Sequence, residues 1–166
     1  MAKQDAVILS HWYHLIENLN HSSQDFYSSL EGAIKSRQLP HVKTSRVNFP
    51  EGGVGSPKRE YFRAKRKEYL FDICAAPYGN GFFFSWWLGE KIGFFSRILM
   101  SIPIIGAIFF KFAKPMTYYR IDTTLMFQES IRMAVLEVID GITKAKGIRA
   151  LSELERKPIL SDILKQ

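Results

Sequence analysis

The sequence predicts a single α+β domain, in which an antiparallel meander of about five strands is flanked by an N-terminal and a C-terminal helix. Apolar residues recur at helical spacing in both outer parts of the chain, whereas the central part alternates with a period of two. Short connections between the predicted strands favour antiparallel neighbours. The length of 166 residues suits one domain, so residues 1–166 form one predicted unit.

The first predicted element is a helix over residues 10–37. Its apolar residues recur three and four positions apart in two runs: Trp12, Leu15, Ile16, Leu19, then Phe26, Tyr27, Leu30 and Ile34. Ser22, with Asp25 three residues later, resembles a capping box and predicts a break or kink inside the helix. Pro40 ends the helical region.

The predicted meander consists of strands rich in aromatic and β-branched residues. Its four segments are 42–49, 60–67, 69–76 and 81–88. The segment 69–76 is apolar on both faces, which predicts a central strand covered on both sides. A tight hairpin is predicted at Lys67 and Glu68, between the second and third segments.

A fifth strand is predicted at 117–122, and a long helix at 124–145. The apolar residues of this helix step by three and four positions, as expected for a stripe that faces the core: Phe127, Ile131, Val135, Val138 and Ile142. Ser152 and Glu155 fit a capping box and predict a short further helix.

An apolar insert occupies residues 92–113, with Arg97 and Lys111 as its only charges. Its uncharged stretch of thirteen residues would rise about 20 Å as a helix, less than the roughly 30 Å of a bilayer core. Pro103 and Gly106 lie near its middle and predict a helical hairpin that leaves the sheet and returns on one side. Burial in the core, docking into a partner protein and a true span remain alternatives.

An aromatic run directly precedes the insert. Alternation along a strand puts Phe82, Phe84 and Trp86 on one face, and Phe83 and Trp87 on the other, with one set in the core. The residues predicted to contact a membrane or a partner are aromatic, aliphatic or basic: Trp86, Trp87, Phe94, Phe95, Arg97, Ile104, Ile105, Ile108, Phe109 and Lys111.

The net charge of +7 is concentrated between His41 and Lys67, where eight basic residues accompany two acidic ones. A field of this kind favours an anionic partner, whether a lipid headgroup, a nucleic acid or an acidic protein. The candidate anion-binding residues are Arg46, Lys58, Arg59, Arg63, Lys65 and Lys67. Basic groups beside an aromatic residue on an open sheet also suit nucleic acid, although no RNP-like motif is present.

Two further groups of residues resemble sites that could carry chemistry. Four polar residues would share one helical face, where histidines and a carboxylate resemble metal ligands: His11, His14, Glu17 and His21. A solvated polar face is the favoured interpretation, and no metal or cofactor is expected. Cys74 has apolar neighbours, so it is predicted to be a small core residue rather than a nucleophile.

The favoured hypothesis is a non-enzymatic protein that attaches to an anionic membrane surface, or to a protein partner, through the insert and the basic sheet surface. The alternative is a soluble subunit that binds nucleic acid or protein, with 92–113 buried in a core or an interface. An enzyme ranks third, because no acid–base pair or nucleophile site emerges from the spacing. No export signal is recognisable, so the expected location is the cytoplasm, including the inner face of a membrane.

Overall fold

In the part of the chain that the structure describes, six antiparallel strands form one open sheet, and two helices pack on one of its faces. The computed structural model describes residues 6–52, 55–91 and 117–161. Its elements, in chain order, are β1 (Ala6–Glu17), α1 (Ser23–Ser36), β2 (Val42–Pro50), β3 (Lys58–Arg66), β4 (Tyr69–Tyr78), β5 (Gly81–Lys91), α2 (Tyr118–Ala145) and β6 (Ile159–Leu160). The strand order is β2-β3-β4-β5-β1-β6, and every neighbouring pair is antiparallel. The predicted α+β class is confirmed, whereas the predicted helical hairpin at 92–113 lies outside the described residues.

The predicted meander is confirmed by β2 to β5, whose bounds agree with the sequence prediction to within a few residues. The hairpin between β3 and β4 turns at Lys67, whose φ of 51° lies in the left-handed region. The central strand is β4, third in the order across the sheet. Phe71 and Ile73 on one of its faces, and Cys74 on the other, are fully buried. Burial of residues on both faces explains why this strand is mostly apolar, with Asp72 as its one charged residue.

The first half of the predicted N-terminal helix is wrong, because residues Ala6–Glu17 form β1 and pair with β5. Trp12 and Ile16 are four positions apart, which places two residues on one face of a strand as well as of a helix. In β1 these side chains lie opposite Trp86 and Phe82 and are buried with them. Pairing with an aromatic neighbour strand therefore decides between the two conformations.

The second half of that prediction is confirmed as α1. The predicted capping residue Ser22 is the N-cap, and its Oγ accepts a hydrogen bond from the backbone N–H of Asp25 at 3.3 Å. The break expected inside one long helix is instead the boundary between a strand and a helix. Ser22 satisfies a backbone donor that the first turn leaves without a partner.

The strand predicted at 117–122 is also wrong, since α2 begins at Tyr118. Thr117 is its N-cap, and the Thr117 Oγ1 accepts a hydrogen bond from the N–H of Arg120 at 3.3 Å. The cap and the long helix that follows outweigh the strand preference of a short aromatic run. The predicted helix at 124–145 is thus confirmed, and it begins at Tyr118, somewhat more than one and a half turns earlier.

The short helix predicted at Ser152 is a turn, after which β6 extends the sheet beside β1. Both capping-box hydrogen bonds form: Ser152 N–H donates to Glu155 Oε2 at 2.7 Å, and Glu155 N–H donates to Ser152 Oγ at 3.4 Å. The turn is held to the sheet by Trp12, whose Nε1 donates to the carbonyl oxygen of Glu155 at 2.5 Å.

Candidate functional site

The two faces of the sheet differ in what covers them. Aromatic rings from both helices contact one face: the Phe26 and Phe84 centroids are 5.0 Å apart, and the Phe127 and Phe71 centroids are 6.2 Å apart. We call the opposite face the open face. In the part of the chain that the structure describes, large apolar side chains on it remain exposed, among them Tyr13 (58%), Leu15 (40%) and Trp87 (37%).

The aromatic run of β5 divides between these faces as its alternation predicts. Phe82, Phe84 and Trp86 are buried under the helices, with Trp86 only 1% exposed. Trp86 was predicted to contact a membrane or a partner, but its ring packs against Phe71 in the core and is unavailable for such a contact. Trp87 lies on the open face, where its ring stacks on His11 with the centroids 4.8 Å apart.

The chain leaves for the apolar insert and returns from it at the same end of the sheet. Lys91 is the last residue of β5, and Thr117 caps α2. An ion pair joins the two elements, because the Arg120 guanidinium donates to Glu90 Oε1 at 2.5 Å. The described residues that flank the insert therefore lie close together at one end of the sheet.

The insert itself lies outside the described residues. The residues of the insert that were predicted to contact a membrane or a partner also lie outside the described residues: Phe94, Phe95, Arg97, Ile104, Ile105, Ile108, Phe109 and Lys111. Of the two helices in residues 6–52, 55–91 and 117–161, neither combines the length and the hydropathy that crossing a bilayer requires.

Exposed lysines and tyrosines surround the base of the insert, a region that we call the insert end. Lys67 lies in the β3–β4 turn, which reaches the end of β5 because the Lys91 N–H donates to the carbonyl oxygen of Glu68 at 2.8 Å. Lys65 and Lys91 are exposed at the same end. The first two residues of α2 are among the most exposed aromatic residues described, Tyr118 at 88% and Tyr119 at 80%.

The lysines of the insert end form no ion pairs with other described residues. Lys65 lies directly opposite Lys43 of β2, an arrangement of like charges that is unfavourable within a sheet. Among the ion pairs between described residues, none involves Lys43, Lys65, Lys67 or Lys91.

Arg63 differs from those lysines, since its charge has a partner within the sheet. Its Nε and Nη2 donate to the two carboxylate oxygens of Asp72, directly opposite on β4, at 2.6 and 2.7 Å. The hydrogen bonds to Asp72 raise the pKa of Arg63 above its ordinary value. Arg63 also lies over the ring of Phe49, 5.5 Å from its centroid. Both contacts indicate a structural role.

The structure does not gather the other predicted anion-binding residues into one surface. Arg46 is on the helix-covered face, with its guanidinium 4.5 Å from the Tyr27 ring centroid and 5.0 Å from that of Phe62. Lys58 and Arg59 lie beside the turn from β2 to β3, at the opposite end of the strands from the insert. We call this region the far end. Only Lys65 and Lys67 of the predicted set belong to the insert end.

His11, His14 and Cys74 fit structural roles. His11 and His14 are on opposite faces of β1, because the predicted helix there is a strand. In the described part of the chain no three potential ligands gather into a metal site. Cys74 is fully buried, as predicted, and burial raises the pKa of its thiol.

Tyr118 and Tyr119 were not predicted to be surface residues, because the sequence pattern there favours a strand. Their position directly after an apolar segment was the available signal, since tyrosine is enriched at membrane–water interfaces. Comparisons with protein-family models, curated proteins and solved structures gave no match. Functional inference therefore depends on the geometry described above.

Proposed function

We propose that this chain is a non-enzymatic, membrane-associated protein, attached to the inner face of a membrane through the 92–113 insert. The observation that carries the proposal is the Glu90–Arg120 ion pair, which brings both ends of the insert to one end of the sheet. An apolar segment that leaves and returns at one place suits attachment from one side of a bilayer. It does not suit a single crossing, which would separate the segment's two ends by the bilayer thickness.

The surroundings of the insert provide the electrostatic part of the attachment. A lysine close to an anionic leaflet contributes about 1 kcal/mol to binding, and the effect decays within a Debye length of about 8 Å. Lys65, Lys67 and Lys91 are exposed at the insert end and have no ion-pair partner among the described residues. Tyr118 and Tyr119 supply amphipathic rings of the kind that concentrates at headgroup depth.

The open face would then present the sheet to a protein partner. Tyr13, Leu15 and Trp87 form an exposed apolar surface on it. Aromatic side chains are enriched at protein interfaces because they combine a large apolar area with a polar tip. Attachment at one end would leave this face uncovered by lipid.

The second candidate is a soluble subunit that binds protein or nucleic acid, with 92–113 buried in a core or an interface. The open face also favours this candidate, because its exposed apolar side chains are a surface that a segment or a partner can cover.

A fluorescent probe distinguishes the two candidates. An environment-sensitive dye is attached to Ile105→Cys in a Cys74→Ala background, and the control carries it on Tyr78→Cys, at the exposed far end of β4. With vesicles that contain anionic lipid, we expect the dye at position 105 to shift to an apolar spectrum and the dye at position 78 to remain unchanged. Vesicles of neutral lipid should give a smaller shift.

Two results would contradict membrane attachment. One is a dye at position 105 that ignores anionic vesicles while the protein remains in solution beside them. The other is resistance of position 105 to labelling in the folded protein, as a packed interior would cause. Either result would favour the second candidate.

A further inference from the structure

The two edges of the sheet differ in what borders them. On one side, β6 pairs with β1, and Trp12 holds the neighbouring turn by its hydrogen bond to the carbonyl oxygen of Glu155. On the other side, β2 is the last strand, and in the part of the chain that the structure describes no further strand pairs with it. An uncovered edge strand presents unpaired N–H and C=O groups that a strand from another chain can bind. The outer side of β2 therefore has the form of an interface.

The hydrogen-bond ladder shows which backbone groups of β2 are directed outward. Next to the last pair of the ladder, the Glu51 N–H donates to the carbonyl oxygen of Pro57 at 2.9 Å. In an antiparallel pair, every second residue exchanges hydrogen bonds with the neighbouring strand, and the residues between them direct their groups to the other side. Odd-numbered residues of β2 thus bond to β3. The N–H and C=O groups of Thr44, Arg46 and Asn48 are directed to the outer edge.

Two residues of opposite charge at the ends of β2 have no ion-pair partner. Lys43, near its start, and Glu51, directly after its end, are exposed and belong to none of the ion pairs between described residues. An even number of positions separates them, so both lie on the same side of the strand. Val47 is midway between them. A strand with opposite charges placed equally about its centre is complementary to a second copy of itself under a twofold axis.

We propose that β2 pairs antiparallel with β2 of a second copy of this chain, with Val47 on the twofold axis. In this register, Lys43 lies opposite the partner's Glu51, and the two valines lie opposite each other. Arg46 exchanges backbone hydrogen bonds with the partner's Asn48, so that about six intermolecular hydrogen bonds join the strands. The two sheets become one continuous sheet.

The neighbouring registers pair these side chains less well. A register centred on Arg46 places two arginines opposite each other, which is unfavourable, and puts Lys43 opposite the partner's Phe49. A register centred on Asn48 moves Glu51 opposite the partner's Ser45. Because the pairing is antiparallel, the insert ends of the two copies lie at opposite ends of the joined sheet. The dimer forms without a membrane and is independent of the proposed attachment.

Sedimentation velocity of the full chain over a series of concentrations, without vesicles, tests the dimer. We expect a monomer–dimer equilibrium with a dissociation constant in the micromolar range. Asn48→Pro should weaken it at least about tenfold, because it removes an outward N–H group. Proline is tolerated on an edge strand where the N–H group is directed to solvent, so the circular dichroism spectrum should not change. The matched control Asn48→Ala keeps the N–H group and should dimerise as the wild type does.

Charge reversal tests the ion pair between the copies. Lys43→Glu and Glu51→Lys should each weaken the dimer about tenfold, because each places like charges opposite each other. An equimolar mixture of the two variants should dimerise as the wild type does, since both ion pairs form again in the mixed dimer. Lys157→Glu, at an exposed position near the opposite edge, makes the same change in net charge and should have no effect.

Disulfide formation tests the register in a Cys74→Ala background, with copper–phenanthroline as the oxidant. Val47→Cys should form a covalent dimer, because directly opposite residues of a non-hydrogen-bonded pair have Cα atoms about 4.5 Å apart. Ser45→Cys should remain monomeric under the same conditions. A monomer at every concentration would overturn the proposal, as would a dimer that survives Asn48→Pro or a mixture of charge variants that stays dissociated. Crosslinking at position 45 instead of 47 would overturn the register.

Discussion

The insert end and the far end of the sheet are both basic, but they differ in what accompanies the charge. At the far end, Lys58 and Arg59 border a shallow pocket of about 310 Å³ that also contains Glu51. At the insert end, lysines without ion-pair partners in the described chain surround the place where an apolar segment leaves and returns. The proposed membrane-facing surface is therefore distinguished not by charge density alone, but by the coincidence of charge with exposed tyrosines and with the base of the insert.

The largest effect should come from removing the insert. Because Glu90 and Arg120 hold the two ends together, an eight-residue Gly/Ser linker in place of residues 92–116 would span the gap, with a typical reach of about 16 Å. We expect this variant to keep its circular dichroism spectrum and its thermal transition, and to lose flotation with anionic vesicles. A folded variant that still floats with the vesicles would contradict the proposed function.

The second effect separates the two basic ends directly. Changing Lys65, Lys67 and Lys91 together to Gln should weaken binding to anionic vesicles by about 3 kcal/mol, or roughly a hundredfold, at low salt. The matched control changes Lys58 and Arg59 to Gln at the far end and should leave vesicle affinity unchanged. Co-sedimentation over a series of salt concentrations should also show a flatter dependence for the first variant only. Equal losses from the two ends would mean that net charge, not the insert end, governs binding.

The sequence was sufficient for the meander but not for the elements on either side of it. Regular alternation and short turns determine β2 to β5, because consecutive strands need only local information. The spacing of Trp12 and Ile16 fits a strand and a helix equally, and only their long-range pairing with β5 resolves the choice. Whether a strand or a helix follows Thr117 depends on the capping hydrogen bond that its side chain accepts. The strand preference of the adjacent tyrosines favours the wrong choice.

In the candidate site, too, long-range contacts could not be predicted from local sequence patterns. The Glu90–Arg120 ion pair joins residues separated by the whole insert, so no local pattern predicts it. The Arg63–Asp72 ion pair, in contrast, could have been predicted. Once the turn is placed at Lys67 and Glu68, the hairpin register puts these two residues opposite each other. Arg63 would then have been recognised as a paired charge rather than as part of the anion-binding set.

A third, smaller effect concerns Arg63, which lies between the two ends. Arg63→Met removes two charged hydrogen bonds and leaves Asp72 partly buried without its counter-ion, so the free energy of unfolding in urea should fall by about 1–2 kcal/mol. Vesicle affinity of the folded variant should not change. The double variant Arg63→Met with Asp72→Leu should recover much of the loss, since it leaves no unpaired carboxylate. Loss of vesicle affinity without loss of stability would show instead that Arg63 binds the anionic surface.

The smallest effect is expected at Cys74, which lies toward the far end beside Arg59 and Tyr61. Burial raises the pKa of its thiol, while these two neighbours act in the opposite direction without reversing the shift. Because the thiolate is the reactive form, a thiol reagent should label the folded protein slowly, whether or not vesicles are present. Cys74→Ala removes one small buried atom and should cost about 1 kcal/mol or less in unfolding free energy, with vesicle affinity retained. Rapid labelling, together with lost binding, would show instead that the far end opens and takes part in attachment, and the contrast between the two ends would then fail.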